Sequence, residues 1–323
     1  MRKGIATLAV LVVMGLVATA IYQAVHKTVE HFTASPGCTA SAAGHQVSLS
    51  TEQAENAALI ASVAVRRGLP ARAVSIALAT AYQESDLRNL DYGDSDSLGI
   101  FQQRPSQGWG KPAQLMDRRY ATNAFYDALV KVPNYEGMDI TKAAQAVQRS
   151  AYPDAYRDHE LDGRALASAL TGNSGAALTC VVGQPDVGKQ PMRGDGLTAR
   201  ANTVRRAVLG AYGDLPLGGF APGGVGSGHM SGSAHYEGRA VDIFFRPISP
   251  DQTIRGWALA NYLVANASRL QIEHVIFDRM VWTAGADSRR GWHTYHPPEL
   301  TGNESPATLA ILQHRDHVHV DVY

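Results

Sequence analysis

Cysteine is scarce in this chain: among 323 residues only Cys38 and Cys180 occur. Heavy-metal handling draws on soft sulfur ligands, and the lack of Cys pairs or Met runs near the N-terminus counts against that class. An excess of charge of either sign is also missing. Lys+Arg and Asp+Glu stand at 29 each, so no electrostatic pull toward nucleic acid is expected. The chain is not poor in apolar residues, and 45% apolar with 18% charged content argues against wholesale disorder. No internal repeat is evident. The Gly-rich stretch 218–232 lacks the Lys and the helix register of a phosphate loop.

What is present begins at the N-terminus. Arg2 and Lys3 precede an apolar run from Gly4 to about Val25, long enough to cross a bilayer core of ~30 Å. The positive flank favours an N-terminus kept in the cytoplasm. Ala18-Thr19-Ala20 offers a small-residue cleavage pattern, so a secreted product released from a signal peptide is the alternative. The run continues through Ile21 and Tyr22, which favours a retained single-pass anchor over residues 1–25, with the membrane as a partner and the rest outside the cytoplasm. In an exported chain, an even cysteine count reads as a disulfide between Cys38 and Cys180.

The length suggests two domains. After a stalk over 26–48, residues 49–182 read as mostly helical. Ser50-Thr51-Glu52-Gln53 has the form of a capping box, and the helix it opens ends at Arg66-Arg67-Gly68, cations and glycine where a C-terminus wants them. Pro70 opens a second helix, Ala71 to about Glu84, apolar over most of its surface and therefore central. Ala143–Val147 and Leu161–Leu170 are further helix candidates. Glu84, a carboxylate at a helix C-terminus, opposes the macrodipole and hints at function. Residues 183–196 read as a Gly- and Pro-containing linker.

In the second domain, 197–323, helices are expected over Leu197–Tyr212 and Ile254–Leu270, with a short strand pair within Ile272–Trp282. His235 and Asp242 stand seven positions apart in Ser233-Ala234-His235-Tyr236-Glu237-Gly238-Arg239-Ala240-Val241-Asp242, and Val241–Phe245 reads as a strand. Near the end, Val318, Val320 and Val322 alternate with His317, His319 and Asp321, which places the latter three on one strand face. Two imidazoles and a carboxylate, from His235, His319 and Asp242, form a ligand set suited to Zn2+ with one position left open. His229, His293 and His296 read as loop, pocket or surface residues rather than ligands.

Two resemblances follow from these motifs. Ser-x-His-x-x-Gly-Arg-Ala-x-Asp with a late His-x-His resembles the zinc peptidases that group lysostaphin-type enzymes, D-alanyl-D-alanine peptidases and hedgehog domains, and an actinobacterial domain ending in Asp-His-Val-His-Val. The resemblance implies that His235, Asp242 and His319 bind zinc. It offers two candidates for the base: Asp316, where the D-alanyl-D-alanine branch has Glu, and His317, where the lysostaphin branch has an assisting His. Glu84-Ser85 followed by Ser97-x-Gly99-x-x-Gln102 resembles the lytic transglycosylase and goose-type lysozyme group. It implies Glu84 as the acid, with Ser85, Ser97 and Gln102 lining a sugar groove. A hydrolase would add a second carboxylate, for which Asp94 or Asp96 is available. The group's Ala-Tyr-Asn-Ala-Gly motif corresponds at most to Ala146–Ser150, which departs from it and supplies Gln148.

The expected fold class is therefore an N-terminal membrane helix, a mostly α lysozyme-like domain, and an α+β domain with a small antiparallel sheet. The expected function is cleavage of peptidoglycan, its glycan by the first domain and its peptide stems by the second. The alternative is a catalytically degenerate wall-binding or wall-assembly protein.

Overall fold

The computed structural model describes residues 36–297, 300 and 302–323. Residues 37–323 form one compact unit.

Strands β1 (Gly37–Ala42) and β2 (His45–Leu49) make a hairpin. Helices α1 (Thr51–Arg66), α2 (Ala71–Ser85), α3 (Arg118–Leu129), α4 (Ile140–Gln148) and α5 (Glu160–Leu170) follow. Strand β3 (Leu178–Val181) then returns beside β1, giving a three-stranded antiparallel sheet of order β2-β1-β3. Cys38 pairs with Cys180 across it, and the two form a disulfide.

Local chemistry accounts for the first helices. The Ser50 hydroxyl accepts from Gln53 N at 3.2 Å while the Gln53 carboxamide accepts from Ser50 N at 2.8 Å, a reciprocal cap that starts α1. Residues 73–81 of α2 are all buried, so that helix is the axis of the helical part. It packs closely on α5 because position 163 is glycine: a Cβ there would lie 2.6 Å from Ser75 O. At its C-terminal end Asp86 turns left-handed, and the buried Ser85 hydroxyl lies 2.7 Å from Ile100 O, tying the helix end to the next loop.

Helix α6 (Ala199–Tyr212) leads into the larger sheet. Its strands are β4 (Leu217–Gly218), β5 (Ala240–Phe244), β6 (Ile272–Phe277), β7 (Met280–Thr283), β8 (His293–Thr294) and β9 (His317–Val322). They run antiparallel in the order β4-β5-β9-β6-β7-β8. Helices α7 (Pro250–Ala265) and α8 (Ala267–Leu270) join β5 to β6. Helix α7 lies against β6, β9, β3, α1 and α5. Polar contacts cross the same boundary: Asn261 Nδ2 donates to Ala169 O at 2.8 Å, and the indoles of Trp282 and Trp292 donate to Cys180 O and Leu178 O at 3.2 and 2.8 Å. The two sheets are thus stitched through β3.

The expected fold class needs correction. The sheet is not small, since it has six strands, and a second, three-stranded sheet was not foreseen. The described part of the expected stalk lies largely in β1 and β2. The sequence of β1, Gly-Cys-Thr-Ala-Ser-Ala, has a single β-branched residue and no aromatic, so it carries little strand signal. The membrane helix is withdrawn as well. No helix among the described residues is long and apolar enough to cross a membrane; α1 and α7 have 16 residues, fewer than the ~20 a span needs. The expected anchor, 1–25, lies outside the described residues, and the single-pass location and membrane partner are withdrawn with it.

Candidate functional site

Strands β5 and β9 set the first constellation. Asp242 and His319 are direct cross-strand partners, so their side chains share a face and can meet. His235 arrives from a single 3-10 turn, Ala234–Glu237, closed by Gly238 in the left-handed conformation. His235 Nε2, Asp242 Oδ1 and His319 Nδ1 lie 3.0, 3.1 and 3.2 Å from one another. A tetrahedral centre with bonds of about 2.0–2.1 Å has edges of roughly 3.3–3.4 Å, close to this triangle.

The other ring atoms fix which lone pairs face inward. His235 Nδ1 donates to Gly219 O at 2.7 Å, which turns Nε2 toward the triangle; in the neutral ring that nitrogen carries the lone pair. His319 Nε2 lies 3.4 Å from Asp321 Oδ2, and Asp321 Oδ1 is held by the backbone N–H and Nδ1 of His274 at 3.0 and 2.9 Å. Metal-bound imidazoles take such outer partners to set orientation and tautomer. Two carboxylates, Asp242 and Asp321, favour positive charge at His319, carried by a proton or by a metal ion in its place. Burial pulls the His319 pKa down, yet hydrogen bonds and attraction from Asp242 and Asp321 outweigh it and push it up to about 10. Burial opposes ionisation of Asp242, but His235 and His319 hold it well below the usual carboxylate range. The donor set therefore suits a divalent cation.

His317, on the same face of β9, places Nε2 3.8 Å from Asp242 Oδ1. Its Nδ1 is 2.7 Å from Asp316 Oδ1, and Asp316 Oδ2 is taken by Arg246 at 2.6 Å. Both Asp316 oxygens are thus occupied, while His317 Nε2 faces the triangle. His314 was missed in the sequence. Its buried ring lies 4.6 Å from that of His317 and 5.6 Å from that of His319. Burial, then the neighbouring His319 and His317, hold it well below the ordinary histidine value, so it is neutral. No motif spacing marks it. His229 stacks on His235 with centroids 3.8 Å apart. His229, His235 and Asp242 also offer ligand atoms within 4.8 Å of one another, as do Glu273, His274 and Asp321. The first group shares His235 and Asp242 with the triangle through His319, and in the second Asp321 is already engaged with His319.

The second constellation lies at the end of α2. Half-buried Glu84 accepts from Tyr156 Oη at 2.6 Å. Burial raises its pKa, while hydrogen bonds from Tyr156 and Gln148 pull it back only in part. Tyr156, raised itself by burial and by Glu84, stays a donor. Gln148 also donates to Phe101 O at 2.8 Å, linking α4 to the 97–102 loop. Ser97 is buried, and Gln102 donates to Gly99 O and Tyr92 O at 3.1 and 3.3 Å, within its own loop. Among the described residues no hydrogen bond joins Ser97 or Gln102 to Glu84. Asp96 is bound by Arg104 and by Ser106, which draw its pKa down to about 2. A cleft of about 630 Å³ opens elsewhere, between α4 and the 153–160 turn, and is lined by Asp139, Lys142, Arg157 and Glu160 but by none of the Glu84 group.

Residues 193–304 are similar to a family described as VldE, C-terminal domain. That segment holds His235 and Asp242 and stops short of His319. No curated protein matches the chain.

Proposed function

We propose that this chain is a two-site peptidoglycan hydrolase, with a zinc peptidase centre at His235, Asp242 and His319 and a glycan-cleaving centre at Glu84. The observation that carries the reading is the closed triangle of donor atoms 3.0–3.2 Å on a side, with both imidazoles oriented by outer partners. A bound zinc ion would act as a Lewis acid toward an amide carbonyl and make water acidic enough to attack near neutral pH. His317 is the base in this reading. Its Nε2 takes the proton from water and returns it to the leaving amine, while Asp316 orients the ring from Nδ1 and Arg246 anchors Asp316.

At the other site Glu84, its pKa raised by burial, donates its proton to the glycosidic oxygen as the C–O bond breaks, and water adds to the sugar carbon. Exposed Tyr92 and Tyr152, beside Gln102 and near Tyr156 in sequence, offer aromatic faces to sugar rings. The inward-turned Gln102 amide favours the second reading, a wall-binding protein with a degenerate glycan site. Digestion of purified peptidoglycan separates the two. Glu84→Gln should lower release of reducing ends by ~10²-fold or more, and His235→Ala should abolish peptide-bond cleavage and stoichiometric zinc. Wild-type protein that binds zinc and cleaves neither bond would leave the degenerate reading standing.

A further inference from the structure

A cleft of about 220 Å³ lies where α1, α3, α6, α7 and α8 meet, and none of its lining residues belongs to either constellation. Its charge is lopsided in a chain whose total charge is zero. Arg118 and Arg119 from α3, Arg206 from α6 and Arg269 from α8 line it, against one carboxylate, Glu55 of α1. Glu55 is committed to Arg269 at 3.3 Å. The other three arginines make no close ion pair among the described residues, although Arg118 also attracts Glu55. Arg118 is spent on the neutral oxygen of Asn56, Arg206 reaches only the Thr203 hydroxyl at 3.4 Å, and Arg119 contributes no side-chain hydrogen bond there. Arg118 and Arg119 are partly buried, which limits the water that can screen them.

Guanidinium groups gathered in one concavity repel one another, and the low-dielectric walls focus their field on an incoming anion. Planar, always-charged forks from separate helices also match the oxygens of a phosphate, which can accept several charge-assisted hydrogen bonds at once. We propose that this cleft is a binding site for a multiply charged oxyanion of the phosphate class. Arg119 and Arg206 are its free donors, and Arg118 completes the site by turning from Asn56. The volume has room for several waters and so for one phosphate or pyrophosphate, but not for a large organic group. The cleft also joins helices from the two sides of the 183–196 segment. An anion there would tie α3 to α6 and α8 by cancelling their mutual repulsion, so binding should raise the melting temperature.

Titration calorimetry of the full chain with inorganic phosphate and with pyrophosphate, at ionic strength held constant with sodium chloride, tests this. Saturable binding of one pyrophosphate per chain, tighter than phosphate, is expected. Arg119→Gln combined with Arg206→Gln should weaken it by roughly a hundredfold, about tenfold for each guanidinium removed from the anion. Arg206→Gln alone changes an exposed position and provides a folded variant with the smaller loss. Arg157→Gln combined with Arg255→Gln, the same charge removed elsewhere, should leave binding unchanged. Absence of saturable binding to the wild type, or equal weakening by the distant pair, overturns the proposal. Neither result bears on the zinc or Glu84 readings, since none of these arginines contacts them.

Discussion

Gly219→Ala gives the sharpest test of the proposed metal centre, because it perturbs the site without replacing a ligand. Gly219 follows β4, has φ +79°, and its carbonyl holds His235 Nδ1. A Cβ at this position would lie 2.2 Å from His235 Cε1, 2.5 Å from Nδ1 and 2.9 Å from Asp242 Oδ2. Non-bonded contacts settle near 3.5–4.0 Å, so the imidazole must retreat by about 1.3 Å or the loop must shift by as much. Metal–ligand distances tolerate only ~0.2 Å. The displaced ring also loses the carbonyl that sets its tautomer, a kind of change that costs about 10–100-fold in metal affinity. Zinc affinity should therefore fall at least ~100-fold. Left-handed backbone strain should add about 1–2 kcal/mol of destabilisation. Gly223→Ala in the same loop separates the two effects. It has φ +81° but nothing within 4 Å of its added Cβ, so it should cost strain alone and keep the metal. The assay is competition with a chromophoric chelator, together with thermal unfolding with and without zinc. If Gly219→Ala binds zinc within threefold of wild type, the triangle around His235 is not the metal site.

Further expectations can be checked separately. His317→Ala should keep zinc and lose peptide cleavage by ~10²-fold or more, whereas Asp316→Asn should lose less, since Asp316 acts through the ring of His317; the reverse order would make Asp316 the base. Tyr156→Phe removes a donor that pulls the Glu84 pKa down. The acid should then stay protonated to higher pH, so the alkaline limb of the glycan-cleavage profile should move up, and an unmoved limb would exclude Glu84 as the acid. Replacing Cys38 and Cys180 by Ser removes a crosslink spanning 142 residues. It should lower stability by about 2–5 kcal/mol, read as a melting temperature lower by on the order of 10 °C; an unchanged melting temperature would mean the bond constrains nothing.

The sequence spoke clearly where a residue's own chemistry dictates the local answer. The Ser50–Gln53 cap is reciprocal because each side chain accepts from the other residue's backbone N–H, three positions apart. The alternation of Val318, Val320 and Val322 with His317, His319 and Asp321 is strand periodicity, and β9 lies there. The disulfide followed from counting. The weaker readings concern groups that matter through distant neighbours. Tyr156 reaches Glu84 across 72 positions, and His274 reaches Asp321 across 47, with no spacing to announce either. His314 lies off any strand and meets His317 through a left-handed turn. Arg246, which anchors Asp316, follows β5 and has no motif of its own. The three-stranded sheet carries little signal because small residues build its central strand and an edge partner from residue 178 onward completes it. The rivalry between Asp316 and His317 is open in the sequence, which also gives no sign that Arg246 holds the Asp316 carboxylate.

The Cys38–Cys180 bond has a mechanical consequence. It joins the two chain positions that bracket α1 to α5. Tension applied along the backbone on either side of that pair runs from one sulfur to the other and bypasses everything between. Roughly 470–510 Å of potential extension is thereby locked out, at about 3.3–3.6 Å per residue over a separation of 142 residues. The Glu84 site sits on this unloaded loop, whereas the His235–Asp242–His319 strands sit on the loaded path. A pull strong enough to peel β9 from the sheet would scatter the imidazoles and leave the half-buried carboxyl with its tyrosine undisturbed.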